Sequence, residues 1–322
     1  MKAFLRLAAA SGLALAGLSP APASEPEARP DVPSRLEPSD SLPVVREQRY
    51  RMVAAIRPLL FWTRASTVGG VQLVWRQGEG GRRGYELLLG SDPGRAPLKI
   101  NRWGWAREEG DEAGSVMLGL MKQTTEESVE EARTRLATEG KDGHVFKIIR
   151  TRVADGEARA VSTTALTARD YTYRDLDEVR AVLEATPATP RIRSARLPGG
   201  TRPGFLFALG DLIHETVETA RAAGGRWKAP GRTMVTFTFN AALYDLTLRS
   251  AEYLAAESYG GRRFERVVRM DFESVKRASR TRDRFTLVVG TEEPWTEVPV
   301  FVRYQPKWWL RTEGVLDERE QF

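Results

Sequence analysis

The chain has 322 residues, a formal net charge of +6 at pH 7 and no cysteine. The lack of cysteine excludes disulfides, a cysteine nucleophile, thiolate metal ligands and a lipoprotein anchor. The basic excess is small for this length, and basic residues are interspersed with acids, as in Arg262-Arg263-Phe264-Glu265-Arg266. Nucleic-acid binding needs basic residues clustered on one face, so the composition predicts no nucleic-acid partner.

The first 23 residues have the pattern of an export signal. Lys2 and Arg6 precede an apolar run of small residues over 7–18. This run is too short for a transmembrane helix, which needs roughly 20 residues. Ala21-Pro22-Ala23 then supplies a signal-peptidase site. The sequence predicts a signal peptide over 1–23, a periplasmic or secreted protein, and no transmembrane segment after cleavage. The alternative, a buried N-terminal helix, is disfavoured by the proline-rich stretch that follows.

Residues 24–45 combine prolines with acidic and small residues. Such a segment cannot bury enough apolar surface to offset its ordering entropy, so we predict a disordered linker. A β-rich globular region is expected over 46–322. At its start, Arg49 to Trp62 has apolar residues at near-helical spacing, which predicts a short helix or a mixed entry segment.

Strands are predicted where short runs of aromatic and branched residues lie between Gly, Pro and Asp clusters. The runs in the first half are Val71–Trp75, Tyr85–Leu89, Leu98–Trp105, Val116–Met121, Val145–Val153 and Arg159–Thr164. Asp155-Gly156 is a strong hairpin turn between the last two.

Three helices are predicted between and after these strands. Thr124 with Glu127 makes a capping box for a helix to about residue 137. Asp175 can cap a second helix to about residue 184, and a third is expected over 207–223. Residues 187–204 are rich in proline and glycine, and they mark the one candidate internal boundary.

The last hundred residues return to strands, and Thr233–Phe239 alternates plainly between apolar and polar residues. The other runs are Tyr244–Leu248, Phe264–Phe272, Phe285–Val289, Val298–Tyr304 and Trp308–Val315. Sequential strands with short links favour antiparallel pairing. The expected fold class is α+β: a mostly antiparallel curved sheet or partly closed β-barrel with a few covering helices.

Catalytic and metal-binding motifs are absent or weak. The glycine-rich segment 78–84 lies between two predicted strands and does not open a helix, so it is interpreted as a hairpin loop, not a phosphate site. On a helix, Asp211, His214 and Glu215 are close enough to share a metal ion, but nothing nearby completes a ligand set. An ordinary polar helix face is the favoured interpretation. No cofactor is predicted.

Two clusters of aromatic and arginine residues stand out. In the first, Trp103 and Trp105 share one strand face, with Arg102 opposite and Arg95 in the preceding turn. The second contains Arg303, Trp308 and Trp309. Both are interpreted either as corners packed by aromatic residues or as a pocket for an amphipathic ligand with an acidic head, since tryptophan supplies area and arginine grips carboxylate or phosphate. The candidate ligand-binding residues are Arg95, Arg102, Trp103, Trp105, Arg303, Trp308 and Trp309.

The segments 85–93, 101–104 and 304–309 (YELLLGSDP, NRWG and YQPKWW) resemble a set of uncharacterised exported bacterial proteins. The C-terminal strand series is similar, more loosely, to domains of unknown function with a lipocalin-like antiparallel architecture. The resemblance implies export and a β-rich fold, and it implies no activity or site residues.

These features predict an exported, non-enzymatic protein that binds an amphipathic small molecule, a lipid or an envelope component. One alternative is a hydrolase of envelope material that uses dispersed carboxylates or Asp211, His214 and Glu215. Another is a structural or assembly partner that pairs with an envelope protein through exposed strand edges.

Overall fold

The computed structural model of the chain describes residues 42–56, 63–96, 99–111, 114–122, 144–167, 169–185, 190–225, 227–229, 231–307 and 310–317. The predicted signal peptide, almost all of the predicted linker and the helix predicted over 124–137 lie outside these residues. Trp308 and Trp309 lie outside them as well. The statements below concern the described residues.

Strands form most of this part of the chain. They are β1 (Val44–Ile56), β2 (Thr63–Gln77), β3 (Arg83–Ser91), β4 (Trp103–Gly110), β5 (Gly114–Lys122), β6 (His144–Ala154), β7 (Glu157–Thr167), β8 (Arg191–Arg196), β9 (Thr233–Phe239), β10 (Ala242–Tyr259), β11 (Arg262–Lys276), β12 (Arg282–Gly290), β13 (Pro299–Lys307) and β14 (Leu310–Leu316). Two α-helices accompany them, α1 (Leu176–Ala185) and α2 (Phe205–Ala223).

All fourteen strands belong to one antiparallel sheet, in the order β8-β7-β6-β5-β4-β3-β2-β1-β14-β13-β12-β11-β10-β9. Within β1–β8 and within β9–β14, each strand pairs with its neighbour in the chain. The pairing of β1 with β14 joins these two halves, with Tyr50 opposite Leu316 and Met52 opposite Gly314. Strands β8 and β9 are therefore the two edges of the sheet, and α2 connects them.

The expected α+β fold class is wrong. The described part is mostly β, with a curved antiparallel sheet that is not closed into a barrel, and only two short helices accompany it. The reason is the length of the strands: the β10–β11 hairpin alone pairs over 14 positions. The sequence patterns show only the apolar centres of such strands and so underestimate their share of the chain.

Individual elements agree with the patterns more closely. The turn at Asp155-Gly156 joins β6 to β7, and β9 has the predicted bounds. The helix or mixed segment expected from Arg49 is wrong, because β1 is a strand in which buried Tyr50 and Met52 alternate with the less buried Arg49, Arg51 and Val53. Strand β8 lies inside the proline- and glycine-rich segment where the sequence predicts no element. The candidate boundary at this segment stays a prediction.

The two faces of the sheet pack against different helices. On the concave face, α2 forms the centre of the largest hydrophobic cluster, which includes Met117 of β5 and Phe237 of β9. On the other face, Val179 and Leu183 of α1 pack against tryptophans of β4 and Phe146 of β6. Because β5 and β9 lie far apart in strand order, their contact with the same helix requires the sheet to curve around α2.

The residues of α2 explain its position. Its buried side chains recur at helical spacing, and they are Phe205, Ala208, Leu212, Ile213, Thr216, Val217 and Ala220 with Leu206 and Phe207 in the first turn. Gly224, at φ 63°, ends the helix in a conformation that favours glycine. The predicted helix over 207–223 is thus confirmed with two more residues at its start.

We expect Leu212→Ala to lower the free energy of unfolding by about 3 kcal/mol, because Leu212 is 1% exposed at the centre of the α2 cluster. Glu215→Ala, on the exposed side of the same helix, should change it by less than about 0.5 kcal/mol. Urea unfolding of both variants measures the difference. Similar losses in the two variants would show that α2 does not carry the core.

Candidate functional site

Helix α2 does not fill the concave face completely. A cavity of about 90 Å³ lies between its first half and strands β1–β3 and β12–β14. Most of its walls are aliphatic, with Leu206 and Leu209 on the helix side and Leu73 and Val302 among the strand residues. Gly314 of β14 also faces it, so the wall there has no side chain. A cavity of this composition suits an apolar group and not water, which needs several polar partners.

Tyr50 is one of the polar residues in the wall of this cavity. Its side chain lines the cavity and is 1% exposed, and its hydroxyl has no hydrogen-bond partner among the described residues. Burial raises the pKa of Tyr50 well above its ordinary value, so the hydroxyl is protonated. A buried hydroxyl without a partner costs free energy.

Glu108 holds the N-terminus of α2 from the end of β4. Its Oε2 accepts hydrogen bonds from the backbone N–H groups of Leu206 (2.9 Å) and Phe207 (3.1 Å). These are orphan donors of the first helical turn, and Gly204 at the N-cap offers no side-chain acceptor. A Cβ on Gly204 would lie 2.1 Å from Oε2 of Glu108, so only glycine permits this approach.

Burial dominates the electrostatics of Glu108. It raises the pKa of the carboxyl from 4.5 to about 7, although the N–H groups of α2 favour the charged form. The carboxyl therefore titrates in the neutral range while it is in contact with the helix that covers the cavity.

Three ion pairs fix the exposed side of α2. Asp211 accepts a hydrogen bond from Arg83 of β3 (Nη2 to Oδ1, 2.7 Å) and forms an ion pair with Arg202 (Nε to Oδ2, 2.7 Å). His214 Nδ1 lies 2.6 Å from Oε1 of Glu297, whose hydrogen bond and charge raise the pKa of the imidazole. These contacts hold the helix across β3 and the β12–β13 connection.

The metal candidates are thus engaged elsewhere. Asp211 faces two arginines and His214 faces Glu297, while Glu215 is exposed on the helix. Within the described ranges, no group of three or more histidine or carboxylate side chains is placed to hold a metal ion.

The first aromatic cluster lies on the face of the sheet that packs against α1. Trp103 is 0% exposed and donates its indole N–H to the carbonyl of Tyr171 at 2.9 Å. Trp105 is also buried and donates to Oε1 of Glu86 at 2.8 Å. Both rings belong to the α1-side cluster, so the structure places them in a packed core.

The predicted arginines are distributed over several places. Arg95 lies 3.6 Å from Asp92 in its own turn, and the backbone of Arg102 pairs with Ser91. Arg303 donates a hydrogen bond to Glu313, and its guanidinium carbon lies 5.2 Å from the centre of the Phe301 ring. Of the second predicted cluster only Arg303 lies within the described residues, and its neighbour Phe301 belongs to a different hydrophobic cluster from Trp103 and Trp105. Their role in ligand binding stays a prediction.

Sequence reasoning missed Tyr50 and Glu108. Tyr50 lies in the segment that was expected to contain a helix. The position of Glu108 could have been found from the alternation of side chains along β4. Glu108 lies on the same face of the strand as Gly104 and Ala106, opposite to the two tryptophans, so its carboxylate must point to the other side of the sheet. That this side is covered by α2 could not be read from the spacing.

No helix in the described part of the chain combines the length and apolar character that crossing a membrane requires.

Comparisons with known proteins add little. No protein-family model matches the chain, and no curated protein has a matching sequence. One similar solved structure is a crystal structure of a β-barrel-like protein of domain of unknown function DUF1849 from Brucella abortus, with 8% identity, 84% of this chain and 95% of that chain covered, and a TM-score of 0.34. At these values we base no conclusion about the chain on it. The resemblance to uncharacterised exported proteins and the looser lipocalin-like resemblance stay predictions.

We expect the free energy of unfolding to fall as the pH rises from about 4.5 to about 7, because over this range folded Glu108 keeps a proton that the unfolded chain loses. The shift corresponds to about 3 kcal/mol. His214 acts in the same direction, because its stabilisation is lost as pH rises through its raised pKa. Glu108→Gln should remove the Glu108 part and be more stable than the wild type above pH 7, with the two curves converging near pH 4.5.

Urea unfolding between pH 4.5 and pH 8.5 tests this expectation. Glu265→Gln, at an exposed carboxylate of β11, is the matched control and should leave the pH dependence as in the wild type. Parallel curves for wild type and Glu108→Gln would contradict the buried-carboxyl interpretation.

Proposed function

We propose that the protein is an exported binding protein for an amphipathic molecule, whose apolar part occupies the cavity between α2 and the sheet. The observation that carries this proposal is the apolar cavity itself, which lies between the first half of α2 and the sheet and is lined mostly by aliphatic side chains. The export signal predicted over 1–23 places such a molecule among those of the envelope or the exterior. The proposal is non-enzymatic because the sequence contains no recognisable catalytic motif.

The size of the cavity limits what it holds in the present conformation. An apolar cavity of roughly 150 Å³ binds a molecule of the size of benzene, so about 90 Å³ accommodates only part of an alkyl chain. A longer chain requires α2 to move away from the sheet. The side chains of Leu206 and Leu209 form the helix side of the cavity, so a displacement of α2 enlarges it directly.

The polar contacts of α2 oppose such a movement only weakly, whereas its buried side chains in the largest hydrophobic cluster oppose it more strongly. Its exposed side is fixed by ion pairs to Asp211 and His214, and partly exposed ion pairs stabilise by only about 0–1 kcal/mol each. Glu108 binds the first turn through a carboxyl whose burial is unfavourable when it is charged. The binding free energy of an alkyl chain, about 0.8 kcal/mol for each buried methylene, is large enough to offset contacts of this size.

Gly314→Ala tests the cavity with a minimal change. A Cβ at this position would lie 3.6 Å from Cβ of Val302 and 3.9 Å from Cβ of Tyr50, which are ordinary contacts, so the methyl group enters the cavity without strain. We expect the affinity for the uncharged apolar probe N-phenyl-1-naphthylamine, measured by fluorescence titration, to fall about fourfold, the equivalent of one buried methylene. The variant should be as stable as the wild type or slightly more stable.

Gly119→Ala is the matched control. Its Cβ would also make only ordinary contacts, the nearest at 3.8 Å from the carbonyl oxygen of Trp105, and Gly119 does not line the cavity. The control should therefore bind the probe like the wild type. The absence of saturable binding, or equal affinity in all three proteins, would refute the cavity as the binding site.

A further inference from the structure

Arg193 lies on the concave face of the edge strand β8. Arg193 pairs with Ala160 of β7, and Ala160 pairs with Thr151 of β6. Thr151 in turn pairs with Met117 of β5. Directly opposed residues of antiparallel strands project from the same face. Met117 belongs to the cluster around α2, so this register places Arg193 on the same side as the cavity.

Lys276 reaches the concave face from the other half of the sheet. It ends β11 opposite Tyr244 of β10, and Tyr244 belongs to the cluster around α2. The ammonium group lies 5.9 Å from the centre of the Tyr244 ring, and the side chain is only 9% exposed. A cation this far withdrawn from water is an unusual feature.

The curvature of the sheet brings these two cations together. Burial lowers the pKa of Lys276, and the positive charge of Arg193 lowers it further. Arg193 also acts on Tyr244, whose pKa burial raises and Arg193 lowers. The backbone pairing shows the same approach of the two edges: Arg202, which follows β8, bridges to Phe237 of β9, and Phe237 lies opposite Tyr244. Arg193, Lys276 and Tyr244 therefore lie in one region between the two edges of the sheet.

Tyr304 and Asp283 lie between the cavity and the region of Tyr244 and Lys276. Tyr304 lines the cavity, and its hydroxyl donates to Oδ1 of Asp283 at 3.2 Å. The charge of Asp283 in turn acts on Tyr244, beside Lys276. Arg193, Lys276 and Asp283 thus lie at one end of these side chains, and the apolar cavity lies at the other.

We propose that Arg193 and Lys276 bind the anionic head group of an amphipathic ligand whose apolar chain lies in the cavity under α2. This inference rests on the proposed function and adds the chemical class of the ligand, an alkyl or acyl chain that ends in a carboxylate or a phosphate. Arginine and lysine are the residues that bind such groups through charge-assisted hydrogen bonds. Arg193 is exposed at the sheet edge, so the head group binds where it remains accessible from solvent.

Competition against bound N-phenyl-1-naphthylamine separates the two parts of the ligand. Dodecanoate, dodecyl phosphate and uncharged dodecanol share one chain and differ in the head group, and all are used below the concentrations at which they form micelles. In the wild type we expect both anions to displace the probe at concentrations at least about tenfold lower than dodecanol. Arg193→Gln and Lys276→Gln should each lose most of this preference while binding dodecanol as before.

Arg196→Gln is the matched control, since Arg196 lies on the same strand with opposite parity and should keep the wild-type preference. Far-ultraviolet circular dichroism establishes that each variant is folded, and Arg193, at an exposed edge, keeps the test available if the Lys276 variant does not fold.

Equal displacement by dodecanol and the two anions would overturn the head-group site while the cavity proposal stands. Binding of inorganic phosphate at the cations without displacement of the probe by any chain would overturn it in favour of a free-phosphate site. A protein that binds no probe at all would refute the proposed function itself.

Discussion

The pairing of β1 with β14 is the constraint on which the structure depends. It joins two series of hairpins, β1–β8 and β9–β14, into one sheet, and its register places Met52 opposite Gly314 and Tyr50 opposite Leu316. Because glycine has no side chain, this register leaves space between Met52, Val302 and the helix above them. The cavity is thus a product of a contact between strands that are almost the whole chain apart, and a shift by one residue would turn Gly314 to the other face.

The polar groups around α2 are arranged so that the helix closes the cavity without a rigid attachment. A carboxyl from β4 takes the place of an N-cap side chain, and the glycine at the N-cap is needed because any side chain would collide with Glu108. Ion pairs of Asp211 and His214 complete the attachment on the exposed side. The same helix is therefore both the centre of the largest hydrophobic cluster and the cover of the site, which connects the stability of the fold to access to the cavity.

Local patterns predicted those parts of the fold that depend on local chemistry. The alternation in β9, the turn at Asp155-Gly156 and the apolar spacing of α2 all appear in the structure. The patterns failed where long-range pairing decides. Strand β8 is a strand because it pairs with β7, although its residues are nearly all exposed, and β1 is a strand because it lies between β2 and β14. Trp103 and Trp105 were recognised as partners on one face, but the helix that covers that face could not be read from their spacing.

The sequence by itself determined an expected address, an antiparallel β-rich architecture and the absence of recognisable catalytic motifs, because export signals, alternation and catalytic motifs are all written over short stretches of chain. Tertiary structure alone decided which residues meet. Tyr50, Val302 and Gly314 come from opposite ends of the chain, and Arg193 and Lys276 come from different halves of the sheet. Their proximity follows from strand order, register and curvature, and these depend on the free energy of burying the whole concave face around α2, which no single segment of the sequence contains.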